Sequence, residues 1–207
     1  MKNYSNYSKM ALLLLILINA SLDLMAEIAG SPHDLSKNGW GTTETCKFCH
    51  TPHAARPIQD TILWNRDISK AVYELYISPS FNGAATIAQP SAASKMCLSC
   101  HDGTVALDSY SGNAGSHFMS STNLVGSNNR LNTDHPISFE YSSTLAAEDR
   151  ALILPSSQKF VDSAKIIPLY NGKMECSSCH DAHDNTQTKF LRVNNSMSAL
   201  CLKCHIK

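Results

Sequence analysis

The longest apolar run of the chain lies at its N-terminus. Residues 11–18 are almost entirely Leu and Ile, two lysines precede the run, and residues 19–26 form a short tail that ends at the small residue Ala26. This order is typical of a secretory signal peptide. The run is about half the ~20 residues that a membrane span needs. We therefore predict a signal peptide over 1–26, cleaved after Ala26 or after Ala20, and no membrane span after processing; an uncleaved anchor is the alternative.

Downstream of this segment, regular hydrophobic periodicity is rare. Residues 143–154 (STLAAEDRALIL) give the clearest helical pattern, because Ser143 or Thr144 can cap the start and Pro155 can stop the end. Residues 108–133 are rich in Ser, Gly and Asn, which is the composition of a loop. We therefore predict a chain that is mostly coil with short α-helices, some of which carry the motifs described below, and with little β-structure.

The composition limits the classes of function that the chain can serve. Only 16% of its 207 residues are charged, and the formal net charge is zero. Because there is no basic excess, we expect no nucleic-acid binding. Aromatic residues make up only 7% of the chain, so side chains alone offer limited apolar surface for a core. The unusual feature is the presence of 8 cysteines and 9 histidines.

All the cysteines fall into four copies of one motif, C-x-x-C-H. The cysteine pairs are Cys46/Cys49, Cys97/Cys100, Cys176/Cys179 and Cys201/Cys204, and the histidines that follow them are His50, His101, His180 and His205. This spacing is the signature of covalent haem attachment. Two thiols on one turn of backbone can reach two vinyl groups on one porphyrin edge, and the next imidazole can ligate the iron. We therefore predict four covalently bound haem c groups.

Three other uses of cysteine pairs compete with haem attachment. Secreted cysteines often form disulfides, zinc sites use Cys-x-x-Cys together with histidine, and redox-active pairs occur in thioredoxin-like proteins. None of these uses requires a histidine directly after the second cysteine, yet one follows all four pairs. This regularity favours haem c over the three alternatives.

The motifs occur in two similar halves. The first half has CKFCHTPH at 46–53 and SKMCLSCHD at 94–102, and the second has CSSCHDAH at 176–183 and SALCLKCHI at 198–206. Internal repetition of this kind indicates a duplicated unit. We therefore predict two two-haem modules, residues 27–115 and residues 116–207, with their boundary in the Ser/Gly/Asn-rich loop.

Five histidines lie outside the motifs, one more than four irons need on their second side. His53 and His183 each follow a motif histidine by three residues, so each shares a helical face with it and can reach only a neighbouring haem. His33 and His135 recur upstream of the first motif in each half. We predict that these four are the distal ligands, and that His117, which has no counterpart, is spare.

An iron with two imidazole ligands has no open position for a substrate. We therefore expect an electron-transfer protein and no enzyme. The expected partners are redox proteins or extracellular electron acceptors. Two roles stay open, an extracellular filament or conduit and a soluble periplasmic shuttle or electron-feeding subunit of a reductase.

The sequence resembles the multihaem c-type cytochromes with paired C-x-x-C-H motifs, especially the tetrahaem members that polymerise into extracellular electron-conducting filaments. Besides the motifs, the resemblance rests on GSPHDLS at 30–36, LWNR at 63–66 and HPISF at 135–139. It implies an architecture organised around four packed haems, bis-histidine ligation, a homopolymer, and one distal histidine that comes from the next subunit. His33, near the start of the processed chain, is the candidate for that exchanged ligand.

Overall fold

Most of the backbone forms turns and irregular segments. The computed structural model describes residues 27–58 and 62–206. In this part of the chain the α-helices are α1 (Ala92–His101), α2 (Ser143–Asp149) and α3 (Cys176–Cys179), and an antiparallel sheet pairs β1 (Phe139–Glu140) with β2 (Lys173–Met174). The prediction of a mostly coil chain with short helices and little β-structure is confirmed.

Short 3-10 helices supply most of the remaining regular structure in the described ranges. They are Leu35–Asn38, Thr45–Phe48, Asn82–Ala85, Ser121–Asn123, Ser127–Asn129, Thr188–Phe190, Ser196–Ser198 and Cys201–Lys203. Helices carry all four motifs, as predicted: the second and third motifs lie on α1 and α3, and the first and fourth lie on 3-10 turns. The Ser/Gly/Asn-rich loop contains only two of these turns.

Helix α2 is shorter than its sequence pattern predicts, and its cap is one residue earlier. The Ser142 hydroxyl accepts the Leu145 N–H, and the helix ends at Arg150 in the left-handed conformation (φ 59°). The residues beyond it bind the fourth motif instead, because the Ile153 N–H donates to the Cys204 carbonyl at 2.8 Å and the Ile206 N–H donates to the Ala151 carbonyl at 2.7 Å. This pairing overrides the local helical pattern of residues 150–154.

The buried apolar side chains form two small clusters. The larger one contains Phe139, Tyr141, Leu145, Val161, Ile167, Leu169 and Met174, and the smaller one contains Tyr73, Leu98 and Leu131. Large apolar side chains also stay exposed, including Ile62, Val72 and Ile77. The limited size of these clusters is what the low aromatic content predicts.

The two halves pack on each other. Helix α1 of the first half contacts α3 of the second, and Phe81 meets the Phe139 ring edge-on at a centroid distance of 5.2 Å.

The division into modules at residues 115 and 116 stays a prediction. The predicted signal peptide, residues 1–26, lies outside the described residues, and within the described ranges no helix has the length and apolarity to cross a bilayer.

Candidate haem-attachment sites

Each motif forms a helical turn in which the backbone of its histidine lies close to the backbone of its first cysteine. The His50 N–H donates to the Cys46 carbonyl at 2.8 Å, the His180 N–H to the Cys176 carbonyl at 3.0 Å, and the His205 N–H to the Cys201 carbonyl at 2.9 Å. The second motif makes the same turn within α1. The local backbone therefore places two thiols and one imidazole on a single turn in all four copies.

The eight cysteines, all within the described ranges, are free thiols. Burial raises the pKa of the Cys49 and Cys179 thiols to about 11, and that of Cys204 to about 12. No cluster of three or more His, Cys, Asp or Glu side chains that could hold a metal ion occurs among the described residues. The thiols of these three cysteines are therefore neutral and unpaired, which leaves them available for covalent attachment to a prosthetic group.

Hydrogen bonds to backbone carbonyls orient three of the motif histidines. The Nδ1 of His50 lies 2.8 Å from the Ile62 carbonyl, that of His101 lies 2.9 Å from the Asn123 carbonyl, and that of His180 lies 2.8 Å from the Lys189 carbonyl. A carbonyl can only accept, so Nδ1 carries the proton in each case. This fixes the tautomer and leaves Nε2 able to ligate a metal ion, as in the usual arrangement of a metal-bound histidine.

An extended segment holds the first and third motifs in the same way. Trp64 forms a β-bridge with His50, and Leu191 forms one with His180. In the first copy the Asn65 N–H donates to the Cys49 carbonyl at 2.9 Å, and in the third the Arg192 N–H donates to the Cys179 carbonyl at 2.9 Å. We call these two segments, residues 62–65 and 189–192, the clips.

Sequence reasoning did not find the clips as functional elements. The first clip, ILWN at 62–65, overlaps the LWNR segment that carries part of the resemblance to a known family. The second clip is KFLR at 189–192, and it has no residue in common with the first at matching positions. The repeated feature is a set of backbone hydrogen bonds, which side-chain identity does not encode directly.

Three pairs of histidine rings lie at the centroid separation expected for two ligands of one metal ion. A metal–imidazole bond of about 2.0 Å on each side places the two ring centres about 6 Å apart. The ring centroids are 6.1 Å apart for His50 and His183, 6.3 Å for His33 and His101, and 6.4 Å for His135 and His205. Each pair joins one motif histidine to one predicted distal histidine.

His33 lies against a motif histidine of its own chain. Burial, together with the nearby His101, His180 and His183, lowers the pKa of His33 to about 4. A neutral imidazole is the form that ligates a metal. His33 thus lies beside His101 of its own chain, and its exchange with a neighbouring subunit stays a prediction.

Two of the predicted ligands remain without a ring partner in the described part of the chain. His53 is exposed on the turn after the first motif, and the His180 imidazole hydrogen-bonds to the Lys189 carbonyl. His117, the predicted spare, lies elsewhere. Its Nδ1 is 2.8 Å from an Asp108 carboxylate oxygen, and its ring packs on Trp40 at 4.8 Å.

The cysteines show the spatial order of the motifs. Cys100 lies close enough to Cys49 to raise the pKa of its thiol, and the Cys97 thiol lies beside that of Cys176. The last neighbours are Cys179 and Cys204. Thiols of successive motifs are therefore adjacent and form a row of four sites, and the His50–His183 pair also brings the third motif close to the first.

Comparison with known proteins adds one family match. Residues 168–207, which contain the third and fourth motifs, match the family model described as Doubled CXXCH motif. No curated protein matches the chain. The match indicates a haem-binding, multihaem c-type cytochrome-like protein with a role in electron transfer, a class typical of the periplasm and the extracellular space.

Proposed function

We propose that this chain is a tetrahaem c-type cytochrome that carries electrons between redox partners outside the cytoplasm. The observation that carries the proposal is the set of three opposed imidazole pairs at 6.1, 6.3 and 6.4 Å. In each pair, one histidine directly follows a Cys-x-x-Cys turn. When bound, haem supplies reversible one-electron chemistry, and the protein supplies attachment, ligation and spacing.

The repeat provides a candidate for the fourth ligand pair. The first and third motifs share the same clip, and His183, three residues after the third motif histidine, faces His50. By the same relation, His53, three residues after His50, serves the iron of His180. With this pair all four sites have two imidazole ligands, so no iron is open to substrate, and we propose that the chain is not an enzyme.

We further propose that the chain works as an extracellular conduit or filament, with redox proteins or external acceptors as partners and with other copies of itself as neighbours. In support, the outermost attachment residues, Cys46 and Cys201, are exposed, whereas the other six cysteines are partly buried. Electrons can therefore be exchanged at both ends of the row. The soluble periplasmic shuttle, or the electron-feeding subunit of a reductase, is the alternative, because exposed ends also suit collisional transfer.

Intact-mass measurement of the secreted protein tests the haem content. The mass should exceed that of the chain processed after Ala26 by four haem masses, roughly 2.5 kDa. The optical spectrum should show low-spin iron only. A mass that equals the disulfide-bonded chain would overturn the proposed function, and a large high-spin fraction in native material would restore the enzyme alternative.

Material sheared from cells distinguishes the two transport roles. A filament should sediment at high speed and appear as fibres of constant diameter by electron microscopy. If the protein is instead recovered as a monomer from the periplasmic fraction, the shuttle is the correct role. Four haems per chain are expected in both cases, so this test is independent of the mass measurement.

A further inference from the structure

A fully buried arginine lies between the first and second motifs. Arg66 is only 2% exposed. Its Nη1 donates to the Phe48 carbonyl at 3.2 Å and to the Leu107 carbonyl at 2.9 Å, and its Nη2 donates to the Ala106 carbonyl. Phe48 lies inside the first motif, and the other two acceptors follow the second. The guanidinium is therefore fixed at the junction of the two motifs.

The charge of Arg66 is not neutralised by a carboxylate. Its bonds go to neutral carbonyl groups, its Nε has no hydrogen-bond partner among the described residues, and no ion pair within those residues includes it. A buried charge without a counter-ion is costly and rare. It also acts over a longer range than an exposed one, because solvent screens it less. The Cys49 and Cys100 thiols both experience its positive charge.

A fully buried glutamate occupies the next junction. Glu175 is 1% exposed and directly precedes Cys176. Its carboxylate accepts the hydroxyl groups of Ser91 and Ser138, each at 2.8 Å, as well as that of Ser94. It also accepts the Ser178 N–H in a capping box. All these groups donate to it, an arrangement that suits an ionised carboxylate, which can only accept.

This carboxylate sits where the second and third motifs meet. Ser91 precedes α1, which carries the second motif, and Ser94 lies on it; the Ser94 hydroxyl also accepts the Cys176 N–H at 3.0 Å. No Lys or Arg of the described residues forms an ion pair with Glu175. Successive junctions of the row therefore contain buried charges of opposite sign.

We propose that Arg66 and Glu175 create a difference in reduction potential along the row, with Arg66 favouring the electron at the first haem site and Glu175 disfavouring it at the third. This inference rests on the proposed function. A fixed positive charge stabilises an added electron and a fixed negative charge destabilises it. The second site lies near charges of both signs, because buried Asp102 follows it, so the contrast is between the first and third sites.

Redox titration of the holoprotein, followed optically, tests the proposal. Arg66→Gln should lower the equilibrium constant for reduction of the highest-potential component about tenfold, and Glu175→Gln should raise that of the lowest-potential component about tenfold. Each change corresponds to ~59 mV for one electron. Arg66→Lys and Glu175→Asp keep the charges and should shift the same components less than threefold.

Arg56→Gln is the matched control, because Arg56 is exposed and pairs with Asp67 at 2.7 Å. It should shift no component more than twofold, since solvent screens its charge. If Arg66→Gln fails to fold, Glu175→Gln still decides, because the amide oxygen can accept the Ser94 and Ser138 hydroxyls and the Ser91 hydroxyl can accept the amide N–H. Shifts no larger than that of the control, or of the same sign for both buried residues, would overturn the inference.

The unaltered protein separates this inference from the proposed function. One outcome is that the unaltered protein has four low-spin haems by mass and spectrum, but the variants show no shift in reduction potential. This outcome would support the proposed function and reject the effect of the buried charges. Absence of haem from the unaltered protein would overturn both.

Discussion

The first and third motifs are held by the same backbone hydrogen bonds, but different side chains complete the two clips. In the first copy, the Asn65 side-chain amide donates to the Lys47 carbonyl at 2.6 Å. In the third, the Arg192 Nε donates to the Ser177 carbonyl at 2.9 Å. Lys47 and Ser177 both follow the first cysteine of their motif. An amide and a guanidinium thus perform the same task, so the repeated element is the acceptor carbonyl.

The two copies also differ in the length of the loop that follows the motif histidine. The carbonyl that orients the imidazole lies 12 residues after His50, but only 9 residues after His180. Both second histidines are exposed, but the His183 ring lies 6.1 Å from the His50 ring, whereas His53 has no ring partner among the described residues. The shorter loop therefore coincides with the copy whose second histidine lies beside a motif histidine.

The largest expected effect follows from removing His183. His183→Ala takes away the imidazole that faces His50, so one haem in four, about a quarter of the low-spin signal, should become high-spin. Optical and electron paramagnetic resonance spectra of the holoprotein measure this fraction. His117→Ala is the control and should leave all four haems low-spin. Equal spectra for the two variants would show that the His50–His183 pair is not a ligand pair.

His53→Ala tests whether the comparison between the two copies extends to the ligands. If His53 serves the iron of His180, this variant should convert a second quarter of the low-spin signal, and the double variant with His183→Ala should convert about half. If His53→Ala retains four low-spin haems while His183→Ala does not, the two copies use different ligands, and another residue ligates the iron of His180.

The sequence carries a clear signal for the residues that give the sites their chemistry, but little signal for the backbone segments that hold those residues in place. Fixed spacing along the chain identifies the four motifs. Of the four histidines predicted as distal ligands, the structure places His33, His135 and His183 beside motif histidines and gives His53 no ring partner among the described residues, and their role as ligands stays a prediction. The clips were missed because they depend on carbonyl groups that every residue has. The end of α2 was misplaced for a related reason, since the pairing of Ile153 with Cys204 is long-range and leaves no local pattern.

An intermediate effect is expected when the side chains of the clips are removed. Asn65 is buried, so Asn65→Ala leaves the Lys47 carbonyl without its side-chain donor and should lower the free energy of unfolding by about 1–3 kcal/mol. Arg192 is partly exposed, and water can replace its bonds, so Arg192→Ala should cost about 1 kcal/mol or less. Urea unfolding of the holoprotein measures both.

Arg130→Ala is the control for these two variants, because Arg130 is exposed and its Nε lies 3.9 Å from Glu74. Its effect should stay within about 0.5 kcal/mol. A larger loss for Arg192→Ala than for Asn65→Ala would contradict the view that burial decides the strength of each clip.

The smallest effect concerns the histidine without a counterpart. His117 and His183 each lie beside an aspartate, but the Nδ1–carboxylate distance is 2.8 Å for His117 with Asp108 and 3.8 Å for His183 with Asp181. The tighter carboxylate contact therefore belongs to the histidine that packs on an indole and faces no other imidazole. Burial raises the pKa of Asp108, but hydrogen bonds from His117 and from the Ser116 N–H together outweigh it and lower the pKa to about 2.

A pKa that is lower in the folded than in the unfolded chain stabilises the fold above the unfolded value of 3.8. This contribution is lost as the pH falls through about 2. Asp108→Asn should therefore lower the stability at pH 7 by less than about 1 kcal/mol, because the His117 side chain of the pair is exposed to solvent, and the gap between the two proteins should close between pH 4 and pH 2. Urea midpoints of both holoproteins at pH 7, 5 and 3 measure the gap. Protonation of the other histidines and carboxylates affects both proteins alike, so a gap that does not change with pH would mean that the Asp108 charge contributes nothing to the loop that holds His117.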